Sequence, residues 1–322
     1  MIRSIIAAFM ACASSSAALA QTTAWPERSV RLIVPFPAGS ATDVAMRLIE
    51  TALTPRLGHP VVIDNRSGAS GSIGVDAVAK AAPDGYTTGL ITVSTHAVAP
   101  GLGKKLPYDP LTDFTPVGMV GSTPYALVTY PGLGAGSVKE LVALAKAKPG
   151  SLNYGSAGPA SMAHLAAALL ATETGVDIVH VPYRSSAHAV TDIIAGRIQM
   201  QFATIPPSLE LIATERLRAI AVSGARRSTT LPNVPTVAEQ GLPGFEATLW
   251  MALVMPAKTP PEIAQKFNAA LNAVLAQPKV RDALLVQGLE PEPGTPEALT
   301  ARIKVEMGKW RDVIVKAGIK AD

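Results

Sequence analysis

The chain has 322 residues, of which 48% are hydrophobic and 16% charged, a balance typical of globular proteins and not of disordered ones. Its formal net charge is +4, but the basic residues are scattered or at most paired and aromatic residues are few, which argues against binding to nucleic acid. The sequence contains a single cysteine, Cys12, close to its beginning.

The first twenty residues have the pattern of an export signal. Arg3 supplies a positive charge, Ile5–Ala13 an apolar stretch, and Ala18–Ala20 the small residues of a cleavage site. The apolar stretch is shorter than the roughly 20 residues that a membrane-spanning helix needs. We therefore predict an exported protein that is cleaved after Ala20. Its mature form would lack Cys12, and with it any disulfide, thiolate metal site or cysteine nucleophile.

After this signal, apolar strand-like runs alternate with helical patterns along the whole chain. The predicted strands are Val30–Pro35, Val61–Asn65, Thr88–Thr92, Ala126–Tyr130, Asn153–Gly155, Ile178–Pro182, Met200–Thr204, Arg218–Val222 and Leu249–Met255. The predicted helices are Ala41–Leu53, Gly71–Lys80, Val138–Ala147, Ser161–Thr174, Ala187–Ala195, Val237–Gln240, Pro261–Ala276, Pro278–Gln287 and Pro296–Lys316. Such alternation, with short connections rich in glycine and proline, predicts an α/β fold with mainly parallel sheets.

The length of the chain predicts two lobes, because about 300 mature residues exceed what one hydrophobic core comfortably holds. Two extended segments, Val117–Tyr130 and Glu246–Pro256, could connect the lobes. Residues 26–123 and 249–322 would then form one lobe and residues 124–248 the other. Ligands often bind in clefts between domains, so we expect a ligand site between the lobes.

The first predicted strand leads through a short loop into the first helix. Between Val30 and Asp43 this order places unpaired backbone N–H groups at the helix N-terminus, around Ser40 to Asp43. Such a terminus carries a partial positive charge and binds anions without a cationic side chain. We count Asp43 among the candidate ligand-binding residues of this loop. An ordinary strand-to-helix turn, in which Asp43 is simply a favourable first-turn acid, is an equally good interpretation.

A second loop, Asn153–Ser161, repeats this order of strand, small residues and helix, with the helix expected from about Ala160. Gly158 would let a ligand approach the backbone closely, and the hydroxyls of Ser156 and Ser161 could donate to it. Alternatively, both serines are hydrogen-bonded within the loop and only cap the helix. One such loop from each lobe could together hold a carboxylate.

Polar and aromatic residues also follow other predicted strands, at the sheet edge where ligands of α/β proteins tend to bind. These residues are Ser94, Thr95, His96, Tyr183, Arg184 and Ser185. His96 could donate to an anion or be an ordinary hydrogen-bonded structural residue. Arg184 could pair with a carboxylate or be a solvated surface residue. Tyr183 and Trp250 could wall a pocket or belong to the core.

Catalytic and metal-binding signatures are missing from the sequence. No nucleophile elbow, zinc-protease motif, phosphate loop or dinucleotide fingerprint occurs at the required spacing, and no cluster has metal-ligand spacing. We therefore expect neither a metal nor a cofactor. An exported hydrolase would need a nucleophile and a base such as Ser94 and His96. Two other histidines, His164 on a helix face and His180 in an apolar strand, are interpreted as structural.

Several stretches, in order along the chain, carry a family resemblance. They are Trp25-Pro26 with Val30–Gly39, Pro60–Arg66, Asp76–Tyr86, Lys105–Pro110, Leu152–Gly158, Val179–Tyr183 and Leu231–Glu239. In these stretches the chain resembles the Bug-type extracytoplasmic solute receptors, which are the periplasmic substrate-binding proteins of tripartite tricarboxylate transporters. The resemblance covers essentially the whole chain after the signal.

The resemblance implies a two-lobed type II periplasmic binding-protein fold that closes on a ligand, usually a carboxylate or dicarboxylate, and delivers it to membrane transporter subunits. The protein is expected to act as a monomer. In such proteins two loops hold one carboxylate mainly through backbone N–H groups, and the matching residues here are Ala38, Gly39, Ser40, Ser156, Ala157 and Gly158. The distal end of the ligand would meet variable residues, here Thr95, His96, Arg184, Ser185, Thr204 and Trp250.

Departures from the family pattern limit this transfer. Ser40 stands where the family usually has a second glycine, so it would be strained at positive φ or would add a hydroxyl contact. Ser185 stands where a glycine is common. Ala203 follows Gln201-Phe202 where the family often has an acid, and the loss of that carboxylate disfavours amino acids as ligands. A rival interpretation is the same fold acting as a ligand sensor for a membrane signalling partner, which neighbouring genes would distinguish.

Overall fold

The computed structural model describes residues 25–320, so the predicted signal peptide, residues 1–20, lies outside the described residues. The strands within this range are β1 (Val30–Val34), β2 (Val61–Asn65), β3 (Thr87–Thr92), β4 (Phe114–Thr123), β5 (Tyr125–Thr129), β6 (Leu152–Ser156), β7 (Ile178–Pro182), β8 (Met200–Thr204), β9 (Arg218–Val222), β10 (Leu249–Pro256) and β11 (Glu290–Pro291). The helices are α1 (Ala41–Leu57), α2 (Ser72–Ala79), α3 (Ala99–Gly101), α4 (Val138–Ala147), α5 (Met162–Thr174), α6 (Ser186–Ile194), α7 (Leu209–Ala213), α8 (Pro261–Leu275), α9 (Pro278–Val286) and α10 (Pro296–Lys316).

The described strands form two separate sheets, with orders β11-β4-β10-β3-β1-β2 and β7-β6-β8-β5-β9. In the first sheet β1 runs parallel to β2 and β3, whereas β10 is antiparallel to β3 and β4. In the second, β6 is parallel to β7 and β8, whereas β5 is antiparallel to β8 and β9. Both sheets are therefore mixed, and the prediction of mainly parallel sheets is wrong. The reason is that the chain reaches β5 and β10 directly from the other lobe, and both strands are therefore antiparallel to neighbouring strands that follow helical crossovers, such as β3 and β8.

The chain passes between the two sheets twice. Pro124 separates β4 of the first sheet from β5 of the second, and the segment before β10 returns to the first sheet. The crossings lie side by side, because Leu249 at the start of β10 pairs with Thr123 at the end of β4. This confirms the predicted α/β fold with two lobes and two crossover segments.

Helices cover the sheets and bury their apolar faces. In α1, Met46, Ile49 and Leu53 are completely buried in the same core cluster as Phe267 and Leu271 of α8. The helix α5 is apolar and buried along most of its length, which is typical of a helix packed on both sides. The C-terminal helix α10 packs on β4 of the first sheet and also on α5 beside the second sheet, so it joins the two lobes.

Some helix boundaries differ from those predicted. The helix α5 begins at Met162 and not near Ala160, because Ala160 has a φ of +57° and Ser161 is the N-cap. The helix α1 continues beyond Leu53 to Leu57, where Gly58 ends it with a φ of +77°. No helix among residues 25–320 has the length and apolar character needed to cross a membrane.

Candidate ligand-binding cleft

The carboxyl ends of several strands in both lobes lie next to the crossovers. Thr92 at the end of β3 pairs with Met251, near the start of β10. Thr204 at the end of β8 pairs with Tyr125, the first residue of β5. Because β1 is parallel to β3 and β6 is parallel to β8, the loops after β1 and β6 lie at these same edges. The two loops therefore line the sides of the lobes that face each other.

The backbone of the first loop is organised by Gly39 and Ser40. Gly39 has a φ of +78°, a conformation that glycine adopts without strain. Ser40 has an extended backbone, with φ −67° and ψ 158°, and is the N-cap of α1. Its Oγ accepts a hydrogen bond from the backbone N–H of Asp43 at 3.3 Å. Ser40 is thus unstrained although a glycine is usual at this position, and its hydroxyl caps the helix.

Asp43 is an internal anion of this loop. Its side chain is 2% exposed, and its carboxylate accepts hydrogen bonds from Gly39 N (2.8 Å), Arg47 Nε (2.9 Å) and Asn65 Nδ2 (2.8 Å). Burial alone would raise the pKa of Asp43, but these hydrogen bonds outweigh burial and lower it. The carboxylate therefore holds the loop together and does not face a ligand, contrary to the prediction. Arg47 was missed, although its position four residues after Asp43 in a helix was a signal.

Two of the backbone donors predicted in the first loop are used inside it. The N–H of Gly39 donates to Asp43, and the N–H of Ser40 donates to the carbonyl of Pro37 at 3.2 Å. Other N–H groups at this end of α1 have no hydrogen-bond partner among the described residues. These groups belong to Ala38, Ala41 and Thr42. Ala38 and Ala41 are exposed, so the helix terminus keeps donors that an anion can reach.

The second loop is also bonded within itself. Ser156 is completely buried, and its Oγ accepts a hydrogen bond from Gly158 N at 3.1 Å. The hydroxyl of Ser161 donates to the carbonyl of Gly158 at 2.7 Å. The alternative in which these serines bond internally is therefore the one observed. The neighbouring Ala157 is exposed, and its N–H has no hydrogen-bond partner among residues 25–320.

His164 and His180 contact this loop through their ring nitrogens. His180 Nε2 lies 2.6 Å from Ser156 Oγ, and His164 Nδ1 accepts a hydrogen bond from Ala160 N at 3.2 Å. Their rings stack with centroids 3.8 Å apart. Burial, with a smaller contribution from His180, lowers the pKa of His164 to about 4, and burial also lowers the pKa of His180. Both rings are therefore neutral at neutral pH.

The structure does not bring the predicted distal residues His96 and Trp250 to the cleft. His96 is completely buried between Tyr108 and Phe114, and burial lowers its pKa to about 3. Trp250 is also completely buried, and its indole N–H donates to Glu306 Oε2 at 3.3 Å. Both are core residues, and the sequence could not show this because their packing partners are distant along the chain.

The residues beside His96 divide between core and surface. Thr95 is buried, and its Oγ1 lies 3.1 Å from His96 Nδ1, so Thr95 is not brought to the cleft either. Ser94 is half-buried at the start of a π-helical turn, Ser94–Val98. No hydrogen bond among the described residues joins Ser94 to His96, so the pair lacks the geometry of a nucleophile and its base.

The remaining predicted distal residues and Tyr183, the possible pocket wall, lie at or just after the carboxyl ends of β7 and β8. Tyr183 is half-buried and donates its hydroxyl to Asp192 at 2.8 Å, whereas Arg184 is exposed. Ser185 precedes α6 as its N-cap, and Thr204 is half-buried at the end of β8. Within residues 25–320 no three His, Asp or Glu side chains are grouped so that they could hold a metal ion.

The fold and the facing loops define a type II periplasmic binding protein. Residues 45–319 match the family model described as the tripartite tricarboxylate transporter family receptor, and the chain belongs to this family. It is 39% identical over 318 residues to the protein BugT of Bordetella pertussis (strain Tohama I), an alignment that covers 98% of this chain and 97% of BugT. The predicted resemblance to Bug-type receptors is thereby confirmed.

Two solved structures with bound dicarboxylates are similar to this chain. An R. palustris protein with adipate is 38% identical, with a TM-score of 0.72 and coverage of 92% of this chain and 99% of that one. MatC from Rhodopseudomonas palustris with bound malate is 32% identical, with a TM-score of 0.68 and coverage of 90% and 100%.

Proposed function

We propose that this protein is a periplasmic receptor that binds a small organic acid between its lobes and delivers it to the membrane subunits of a tripartite tricarboxylate transporter. The observation that carries the proposal is the pair of loops after β1 and β6. Both lie at the ends of the sheets next to the crossovers, and both keep backbone N–H groups that have no partner within the described residues, at Ala41 and Ala157 for example. The relatives solved with adipate and malate support a dicarboxylate as the ligand.

The two lobes are proposed to close on the ligand about the crossovers. In this proposal residues 26–123 and 249–322 form one lobe and residues 124–248 the other. The division of the strands between two sheets on either side of Pro124 and Leu249 supports these boundaries. The protein would act as a monomer after cleavage following Ala20.

One carboxylate would be held by the open backbone donors of both loops. A carboxylate at a helix N-terminus is favoured by the free N–H groups and by the partial positive charge of the helix end. The distal part of the ligand would meet the polar residues at the carboxyl ends of β3, β7 and β8. These residues are Ser94, Tyr183, Arg184, Ser185 and Thr204.

The protein is proposed to bind its ligand without transforming it. A hydrolase built on Ser94 and His96 finds no support, since His96 is buried and its pKa of about 3 makes it a weak base. Hydrolysis of an activated ester that is abolished by Ser94→Ala would contradict this part of the proposal.

Isothermal titration with adipate, malate and the uncharged analogue adipamide tests the proposal. We expect an acid to bind and adipamide not to bind, because the open donors recognise a negative charge. Two variants at the first position of α1 then test the donors themselves. Ala41→Pro removes the N–H at a helix position where proline is well tolerated, whereas Ala41→Gly retains it.

The loss of one charge-assisted hydrogen bond corresponds to about tenfold weaker binding. We therefore expect Ala41→Pro to bind the acid about tenfold more weakly than Ala41→Gly does. Binding of adipamide in preference to every acid tested would contradict the proposed ligand class. Equal affinities of the two variants would contradict the proposed role of this loop.

A further inference from the structure

The second loop contains backbone conformations that need external support. Gly158 has a φ of +103°, which glycine tolerates, but Ala160 has a φ of +57°, which is unfavourable for a residue with a Cβ atom. The loop between these residues and β6 carries Ala157, an exposed residue whose N–H has no partner among residues 25–320 and is one of the donors of the proposed anion site. Whatever holds Gly158 and Ala160 in place therefore also sets the direction of this donor.

Two histidines from different elements supply this support. His164 in the first turn of α5 accepts the N–H of Ala160 at 3.2 Å through its Nδ1 atom. His180 in β7 lies 2.6 Å from the hydroxyl of Ser156, which accepts the N–H of Gly158 at 3.1 Å and donates to the carbonyl of Gly158 at 3.0 Å. The backbone N–H of Gly158 and that of Ala160 are thus each connected to one imidazole.

The two imidazoles also support each other. Their centroids are 3.8 Å apart with an interplanar angle of 17°, and the ring of Tyr154 stacks on His180 at 5.1 Å. The three rings form a cluster, because the ring of Tyr154 also lies 6.0 Å from that of His164. Because Nδ1 of His164 must accept a hydrogen bond, that nitrogen carries no proton, which agrees with the lowered pKa of this residue. Asp177 and Lys316 line a cavity of about 450 Å³ beside the pair.

We propose that His164 and His180 are positioning residues, which hold the Ser156–Ser161 loop in the shape that presents its free N–H groups to a ligand carboxylate. This inference rests on the proposed function, because it assigns an anion to that loop. Neither histidine touches the ligand. Each acts through a single ring nitrogen, Nδ1 in His164 and Nε2 in His180.

A crossed pair of substitutions tests the proposal, because asparagine places a polar atom near the Nδ1 position and glutamine near the Nε2 position of histidine. At position 164, His164→Asn retains the acceptor for Ala160, and His164→Gln loses it. At position 180, His180→Gln retains the partner of Ser156, and His180→Asn loses it. A role in packing alone would make the variants within each pair equivalent, since all four remove the stacked ring.

Adipate is the probe ligand for the titrations. We expect His164→Asn to bind about tenfold more tightly than His164→Gln, and His180→Gln about tenfold more tightly than His180→Asn, one hydrogen bond being at stake in each case. Equal affinities within both pairs, or the reverse order, would overturn the proposal. Circular dichroism establishes whether each variant is folded. If a variant at one position does not fold, the comparison at the other position tests the proposal.

Amide hydrogen exchange provides a readout that needs no ligand. We expect faster exchange at Gly158 and Ala160 in His164→Gln and His180→Asn than in their partner variants, with no change in β1 or α1. Unchanged exchange at both amides would overturn the positioning role. If the wild-type protein binds no acid but exchange changes as expected, the proposed function fails while the support of the loop by these histidines stands.

Discussion

Replacing Asp43 tests how the first loop is held. The substitution Asp43→Ala removes the acceptor of three hydrogen bonds, from Gly39 N, Arg47 Nε and Asn65 Nδ2, and leaves the rest of the loop unchanged. Hydrogen bonds to charged groups contribute about 1.5–3 kcal/mol each. The bond to Arg47 contributes less, about 0–1 kcal/mol, because the Arg47 side chain is 53% exposed and water screens the pair.

Gly39 is exposed as well, so its freed N–H can bond to water, which reduces the loss further. We therefore expect Asp43→Ala to lower the free energy of unfolding by about 2–4 kcal/mol. The matched control Arg47→Ala, which removes only the exposed partner, should lower it by no more than about 1 kcal/mol. Urea denaturation followed by tryptophan fluorescence measures both values. If the two substitutions have equal effects, the carboxylate does not hold the loop as described.

Other predictions follow from the same structure. Acidification should destabilise the protein through His96, whose pKa is about 3 in the folded chain and about 6.5 in the unfolded chain. The contribution of neutral His96 to the free energy of unfolding is therefore complete above pH 6.5 and decreases as the pH falls below it. Urea denaturation should show a loss of stability between pH 6.5 and 4 that is about 3 kcal/mol larger in the wild-type protein than in His96→Gln, and an identical pH dependence in both proteins would contradict this. Ser40→Ala should lower the free energy of unfolding by about 1 kcal/mol because it removes the helix cap, and Ser40→Gly should lower it by only a few tenths of a kcal/mol. Because the backbone of Ser40 is extended and does not need glycine, a marked gain in stability from Ser40→Gly would contradict this description. Gly89→Ala should destabilise the first lobe by about 1–3 kcal/mol, because its Cβ would lie 2.2 Å from Val78 Cγ2, and an unchanged melting temperature would refute the close packing of β3 on α2.

The sequence predicted the parts of the molecule that depend on local patterns. The alternation of strands and helices, the loops after β1 and β6, and the helix cap at Ser161 all follow from residues that are close together in the chain. The direction of the strands next to the crossovers does not. β5 and β10 are antiparallel to their neighbours because of the path of the chain between lobes, which hydrophobic periodicity does not encode.

Side-chain roles in the site depended on contacts that are distant in the sequence. Asp43 was predicted to contact a ligand, but its carboxylate is bound by Asn65, 22 residues further along. His96 follows a strand as a ligand-binding residue would, yet aromatic residues that come later in the chain enclose it. Conversely, His164 and His180 were interpreted as purely structural, and only the folded chain shows that both contact the second loop.

A crystal structure with adipate bound would show directly whether both lobes hold a carboxylate through backbone N–H groups. We expect one carboxylate of adipate between the loops, with its oxygens about 2.7–3.2 Å from the backbone nitrogens of Ala41 and Ala157. Adipate bound in the cleft with both carboxylates away from these two nitrogens, or adipate bound outside the cleft, would contradict it.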